Sequence, residues 1–123
     1  MINEWEIEVK HSVIVSAQDI DDIICTAFEG GINYWCCEAE VVGDYLGEYA
    51  SEQISRGGKI ILHDSEEDET YMLTIDNFLF GLSKYLETNS SIIYKREIDT
   101  CQVDADVADA IIQYAIFGEI IYG

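Results

Sequence analysis

Five carboxylates fall within the six residues from 64 to 69: Asp64, Glu66, Glu67, Asp68 and Glu69. A run this dense has two chemical uses. It can ligate a hard cation, or it can present a phosphate-like strip of negative charge to a basic groove. As a calcium loop it has oxygen ligands at alternate positions. It lacks the central Gly and the distant bidentate Glu of an EF-hand loop. A charge run by itself is often only a solvated turn. Here acids recur elsewhere at regular spacing. Glu4, Glu6 and Glu8 alternate with Trp5, Ile7 and Val9. Asp19, Asp21 and Asp22, Glu38 and Glu40, Asp44 and Glu48, and Asp104, Asp106 and Asp109 follow. The expected contact residues for a partner are therefore Asp64, Glu66, Glu67, Asp68 and Glu69, with Glu4, Glu6 and Glu8 second.

The sulfur and imidazole chemistry is sparse. A zinc site would need His63 with some of Cys25, Cys36, Cys37 and Cys101. No paired C-x-x-C spacing exists, and adjacent cysteines do not suit a structural site. Buried free cysteines act as small hydrophobes. A Cys/His nucleophile pair could be drawn from Cys36 or Cys101 to His63 or His11, but no local motif supports it. The sequence is thus expected to have no catalytic residue, no metal and no cofactor.

Two further features concern ligands. Arg56-Gly57-Gly58-Lys59 could cradle a phosphate, although it also reads as a helix end with cations near its negative pole. The aromatics Trp5, Tyr34, Trp35, Tyr45, Tyr49, Tyr71 and Tyr122 could line a pocket or pack the core. Trp35, between Gly30-Gly31 and Cys36-Cys37, is expected to be an exposed anchor for a partner. Tyr34, Trp35, Arg56 and Lys59 together would suit an alternative role, sequestering a nucleotide signal.

These residues need elements to hold them. Residues 3–9 alternate apolar and acidic and predict a half-buried strand, with residues 13–15 continuing it after a break near His11. Ser16 with Asp19 has the form of a capping box for a helix whose stripe is Ile20, Ile23, Ile24, Ala27 and Phe28, stopped by Gly30-Gly31. A short strand is predicted over 38–42 and a short helix over 49–56. Strands over 59–63 and 71–73 should form a hairpin whose turn is the acidic run. A second helix begins at Thr74 or Asp76 and a third at Asp104, the latter stopped by Gly118. Short strands over 92–95 and 119–122 complete the reading. The class is α+β: about three helices packed on a small, mainly antiparallel sheet.

The chain has 123 residues, which suits one domain, 1–123. Apolar residues form 49% of it, enough for a core and too many for a disordered chain. Against 25 Asp and Glu stand 6 Lys and Arg, a net charge of -19. A fold of this length spans about 35 Å, and duplex DNA of that length carries about 20 phosphates. Such a molecule repels nucleic acid and anionic membranes and attracts basic surfaces. No apolar stretch is long enough for a membrane span, and the opening residues are too charged for a secretion signal. Reduced thiols in a cytosol are expected.

Residues 27–36 (AFEGGINYWC), 47–58 (GEYASEQISRGG) and 110–118 (AIIQYAIFG) resemble a family of small acidic proteins carried by bacteriophages and prophages. The resemblance spans nearly the whole chain and brings no catalytic motif. It implies an inhibitor of host defence of the anti-CRISPR type, some of which mimic DNA. The implied partner is a basic nucleic-acid-binding protein or nucleoprotein effector in the host cytosol, met by protein–protein contact.

Overall fold

In the computed structural model, residues 3–8 and 12–123 are described. The calls on Val9 and His11 lie outside them. Strand β1 (Glu4–Glu8) pairs antiparallel with β2 (Ser12–Ser16), Trp5 opposite Val15 and Ile7 opposite Val13. Residues 13–15 therefore fold back on β1 instead of extending it. The alternation explains the choice: an antiparallel return places Val13 and Val15 on the same inner face as Trp5 and Ile7.

Ser16 ends β2 and caps helix α1 (Ala17–Thr26). Its Oγ accepts from the Asp19 amide at 3.0 Å, and the Asp19 carboxylate accepts from the Ser16 amide at 2.9 Å. Ile20, Ile23 and Ile24 are its buried face. A π turn over Ala27–Gly31 follows directly, so the helical winding runs up to the expected stop.

Strand β3 (Cys36–Val41) pairs with β4 (Ile60–Asp64), which pairs with β5 (Glu69–Leu73), all antiparallel. The predicted hairpin is the β4–β5 unit. Between β3 and β4 the expected helix over 49–56 shrinks to one 3-10 turn, Ala50–Glu52. The reason is local: the Glu52 and Gln53 side chains bond backbone groups of residues 44–49 and fold that segment into a loop.

Helix α2 (Ile75–Thr88) is capped by Thr74 with Asn77. Helix α3 (Ala105–Phe117) is capped by Asp104 and closed by Gly118 at φ 75°. The two cross closely at Gly81, where a Cβ would stand 2.5 Å from the Ala115 amide nitrogen. Between them β6 (Ile93–Tyr94) and β7 (Glu97–Ile98) form a minimal hairpin through Lys95 and Arg96, both at positive φ. That turn lacks the Asn-Gly or Asp-Gly signal, so only its first strand was legible.

The fold is α+β, with three helices and two mainly antiparallel sheets instead of one. Their orders are β1-β2-β7-β6 and β3-β4-β5, and β2–β7 is the parallel pair. Among the described residues one buried cluster runs from Ile7 to Ala115, with Trp35, Phe78 and Ile111 fully enclosed. Residues 119–122 are not a strand. The buried Gln113 holds them: its Oε1 accepts from the Ile121 and Tyr122 amides, each at 2.9 Å, and its Nε2 donates to the Tyr122 carbonyl at 3.2 Å. One side-chain amide satisfies backbone groups that a sheet neighbour would otherwise have paired.

Candidate acidic interaction surface

The turn between β4 and β5 is organised by its first acid. Asp64 is 3% exposed. Its Oδ1 accepts from the amides of Glu66 at 2.8 Å and Glu67 at 3.3 Å, and its Oδ2 accepts from the Tyr122 hydroxyl at 2.8 Å. Asp64 is therefore not one of the exposed contact residues expected from sequence. Residue 64 is on the inner face of its strand with Leu62 and Ile60, so its carboxylate serves as the internal acceptor of the turn. Burial, and next the Asp64 carboxylate, push the Tyr122 hydroxyl pKa well up, so it stays a donor. The Ser65 amide and hydroxyl both donate to the Trp35 carbonyl, at 2.9 and 3.0 Å. Asp68 takes the left-handed conformation at φ 53°, which Asp tolerates better than most residues.

On this frame Glu66, Glu67, Asp68 and Glu69 are exposed. Among the described residues none of the four forms an ion pair with Lys or Arg. Glu69 accepts from the Tyr71 hydroxyl at 3.2 Å.

Glu4, Glu6 and Glu8 are also exposed, as expected. Glu6 stands opposite Ile14, and Ile14 opposite Glu97, so Glu97 joins the same row across the sheet. Arg96 Nη2 approaches Glu6 at 3.8 Å while its Nε donates to the Ser12 carbonyl at 3.0 Å. The two acidic groups thus belong to different sheets: the hairpin turn to β3-β4-β5, the β1 row to the other.

Trp35 overturns its expectation. It is fully buried, its Nε1 donating to Asp109 Oδ1 at 2.8 Å. Its ring stacks on Tyr122, centroids 5.6 Å apart at 14°, and tilts against Phe117 at 5.4 Å. An indole whose one polar atom is bonded loses nothing by leaving water. Tyr34 stays half exposed, its hydroxyl donating to Asp109 at 2.6 Å. Burial first, and the Asp109 carboxylate second, push its pKa up to about 12.

One exposed apolar group lies elsewhere. Tyr45, Leu46 and Tyr49 are 59%, 49% and 61% exposed on the loop from Gly43 to Tyr49. Gln53, 1% exposed, fixes that loop: its Oε1 accepts from the Leu46 amide at 3.0 Å and its Nε2 donates to the Asp44 carbonyl at 3.2 Å. Glu52 Oε1 accepts from the Glu48 and Tyr49 amides at 2.7 and 2.9 Å. Hydrogen bonds from the Tyr49 and Glu48 amides hold the Glu52 pKa below its ordinary value. The sequence signal was Gly43 and Gly47 ahead of two side-chain amide or carboxylate acceptors, a loop pattern that the apolar spacing of 49–56 concealed.

Of the alternative nucleotide set, none lines either of two clefts among the described residues. Tyr34 and Trp35 bond to Asp109 of α3, while Arg56 lies against Gly47, where a Cβ would meet its Nε at 2.8 Å. One cleft of about 270 Å³ is lined by Phe28, Ile32, Asn33, Cys36, Cys37, Glu38 and Ala39. Another of about 290 Å³ is lined by Cys25, Phe28, Glu29, Tyr49 and Ser51. The four cysteines are free thiols. Cys36 and Cys37 direct their sulfurs to the carbonyls of Glu38 and His63, at 3.3 and 3.4 Å. Burial pushes the Cys25 and Cys36 thiols up, away from the thiolate a nucleophile requires.

Among the described residues no helix is long and apolar enough to cross a membrane. Comparison with protein-family models, curated proteins and solved structures gives no match for this chain.

Proposed function

We propose that this protein is a non-enzymatic inhibitor of the phage-borne, anti-CRISPR type. Its exposed carboxylates stand in for a DNA backbone in the basic groove of a host nucleic-acid-binding complex in the cytosol. One observation carries the reading. Glu66, Glu67, Asp68 and Glu69 project from a turn locked by Asp64, and among the described residues no Lys or Arg pairs with them. A charge already neutralised inside its own chain has little to offer a partner. A charge held unpaired on a fixed frame loses little freedom on binding and forms charge-assisted hydrogen bonds with Arg and Lys. The -19 net charge supplies long-range attraction and fast, salt-sensitive association. Glu4 and Glu8 on β1 provide a second acidic strip, with Glu6 between them beside Arg96. Tyr45, Leu46 and Tyr49 are exposed apolar side chains open to a partner, and the buried Trp35 is not.

The test starts with capture of host nucleoprotein at low and high salt, followed by competition with duplex DNA for the captured complex. The triple variant Glu66→Lys, Glu67→Lys, Asp68→Lys should lose at least about tenfold in affinity, since each lost charge contact is worth roughly 1.5–3 kcal/mol. Its thermal stability should stay near that of the parent. Undiminished affinity of that variant at low salt would remove this turn from the interface. Binding that ignores DNA would end the mimicry.

A further inference from the structure

We infer that the outer face of β3 and β4 is a binding site for a divalent first-row transition metal, with Zn2+ the best fit, held by Glu38, Glu40 and His63. One ligand atom from each of the three lies within 4.8 Å of the other two. His63 Nε2 is 2.9 Å from Glu40 Oε1, a direct hydrogen bond that a metal would replace, and 3.9 Å from Glu38 Oε1. Ligands about 2.0–2.1 Å from a tetrahedral metal stand about 3.4 Å apart, a value that these two distances bracket. Small side-chain rotations would make both contacts even.

The backbone gives a second, separate reason. Cys36 pairs with Asp64, and an unbroken antiparallel register would then set Cys37 opposite His63. A bulge intervenes, and Glu38 stands opposite His63 instead. Without it Glu38 would pair with Leu62 and its carboxylate would turn toward the core. Bulges re-aim side chains in this way at functional sites. Here the bulge puts Glu38, and with it Glu40 two residues on, onto the face that carries His63.

The donor set selects the ion. One imidazole nitrogen with two carboxylate oxygens suits Zn2+ and its first-row neighbours, whereas Ca2+ and Mg2+ take oxygen ligands throughout. Three protein ligands leave a position for water or for a group of a partner. Among the described residues no Lys or Arg forms an ion pair with Glu38 or Glu40, so a dication would neutralise two adjacent carboxylates. None of the four cysteines belongs to the ligand set, and a metal here departs from the sequence expectation of none.

The experiment titrates Zn2+ into chelator-stripped full-length protein by calorimetry, with the His63 ring followed by NMR. The chain has two histidines, so His63→Gln identifies the ring signal by its loss. One Zn2+ per chain should bind, moving the His63 resonances. Affinity should fall about tenfold or more in His63→Gln and in Glu40→Gln, and should persist when Cys37 and Cys101 are both changed to Ser. Near-ultraviolet circular dichroism confirms that each variant is folded. The site is overturned if His63→Gln binds as tightly as the parent, if the cysteine changes abolish binding, or if Ca2+ and Mg2+ bind as well as Zn2+.

Discussion

The acidic turn after Asp64 and the loop from Gly43 to Tyr49 are built on one plan and present opposite chemistry. Each is an irregular segment braced from below by a buried polar side chain, Asp64 in one and Gln53 in the other. Each braced segment turns its side chains outward. The first presents Glu66, Glu67, Asp68 and Glu69; the second presents Tyr45, Leu46 and Tyr49. The lesson is that presentation and bracing are separate tasks, carried by different residues. An acid in an acidic run can be the brace, and a Gln that reads as part of a helix can be the scaffold of an apolar loop.

Substitutions at several depths separate the two tasks. Trp35 underlies the acidic turn through its carbonyl and through Tyr122, which its ring stacks upon. Trp35→Ala should cost about 3–5 kcal/mol, read as a lower urea midpoint, with faster hydrogen exchange at the Ser65 amide. Gln53→Ala should cost about 3 kcal/mol, because a buried side chain leaves and the Leu46 amide loses its acceptor. Exchange at Leu46 should speed up while the Glu66 amide is unchanged. Asp64→Ala should do the reverse and cost less, about 1–2 kcal/mol. The amides it frees are near water, and removing one negative charge eases the self-repulsion of the chain.

A smaller effect concerns pH. Burial, the leading cause, pushes the Asp19 and Asp21 carboxyls above their ordinary value. Between the unfolded and folded pKa the native state then holds more protons than the unfolded chain. Stability falls as pH rises through that window and stays lower above it. Lowering the pH through the window just above the ordinary Asp value of 3.8 should therefore raise the melting temperature slightly, and Asp21→Asn should flatten the trend. Least of all should stability respond at the tips. Glu67→Ala and Tyr45→Ala should each move it by no more than about 0.5 kcal/mol, while each weakens binding to a partner. A large loss of stability at either tip would show that presentation and bracing are not separate.

The sequence by itself determined whatever is decided within a few residues. The capping box of Ser16 and Asp19, the cap at Asp104, the stripe of the first helix, the β4–β5 hairpin and the alternation of β1 all rest on local periodicity and local hydrogen bonds. Net charge was equally legible, because it needs no fold. Tertiary structure alone decided which side of the boundary with water Trp35 and Asp64 would take. The indole's partner, Asp109, is 74 residues away, and the Tyr122 hydroxyl that meets Asp64 is 58 residues away. The division of the strands into two sheets likewise rests on Ile14 meeting Glu97 across the chain. A polar or aromatic side chain is buried only when a distant partner satisfies its hydrogen bonds, and nothing in the neighbouring residues records where that partner will be.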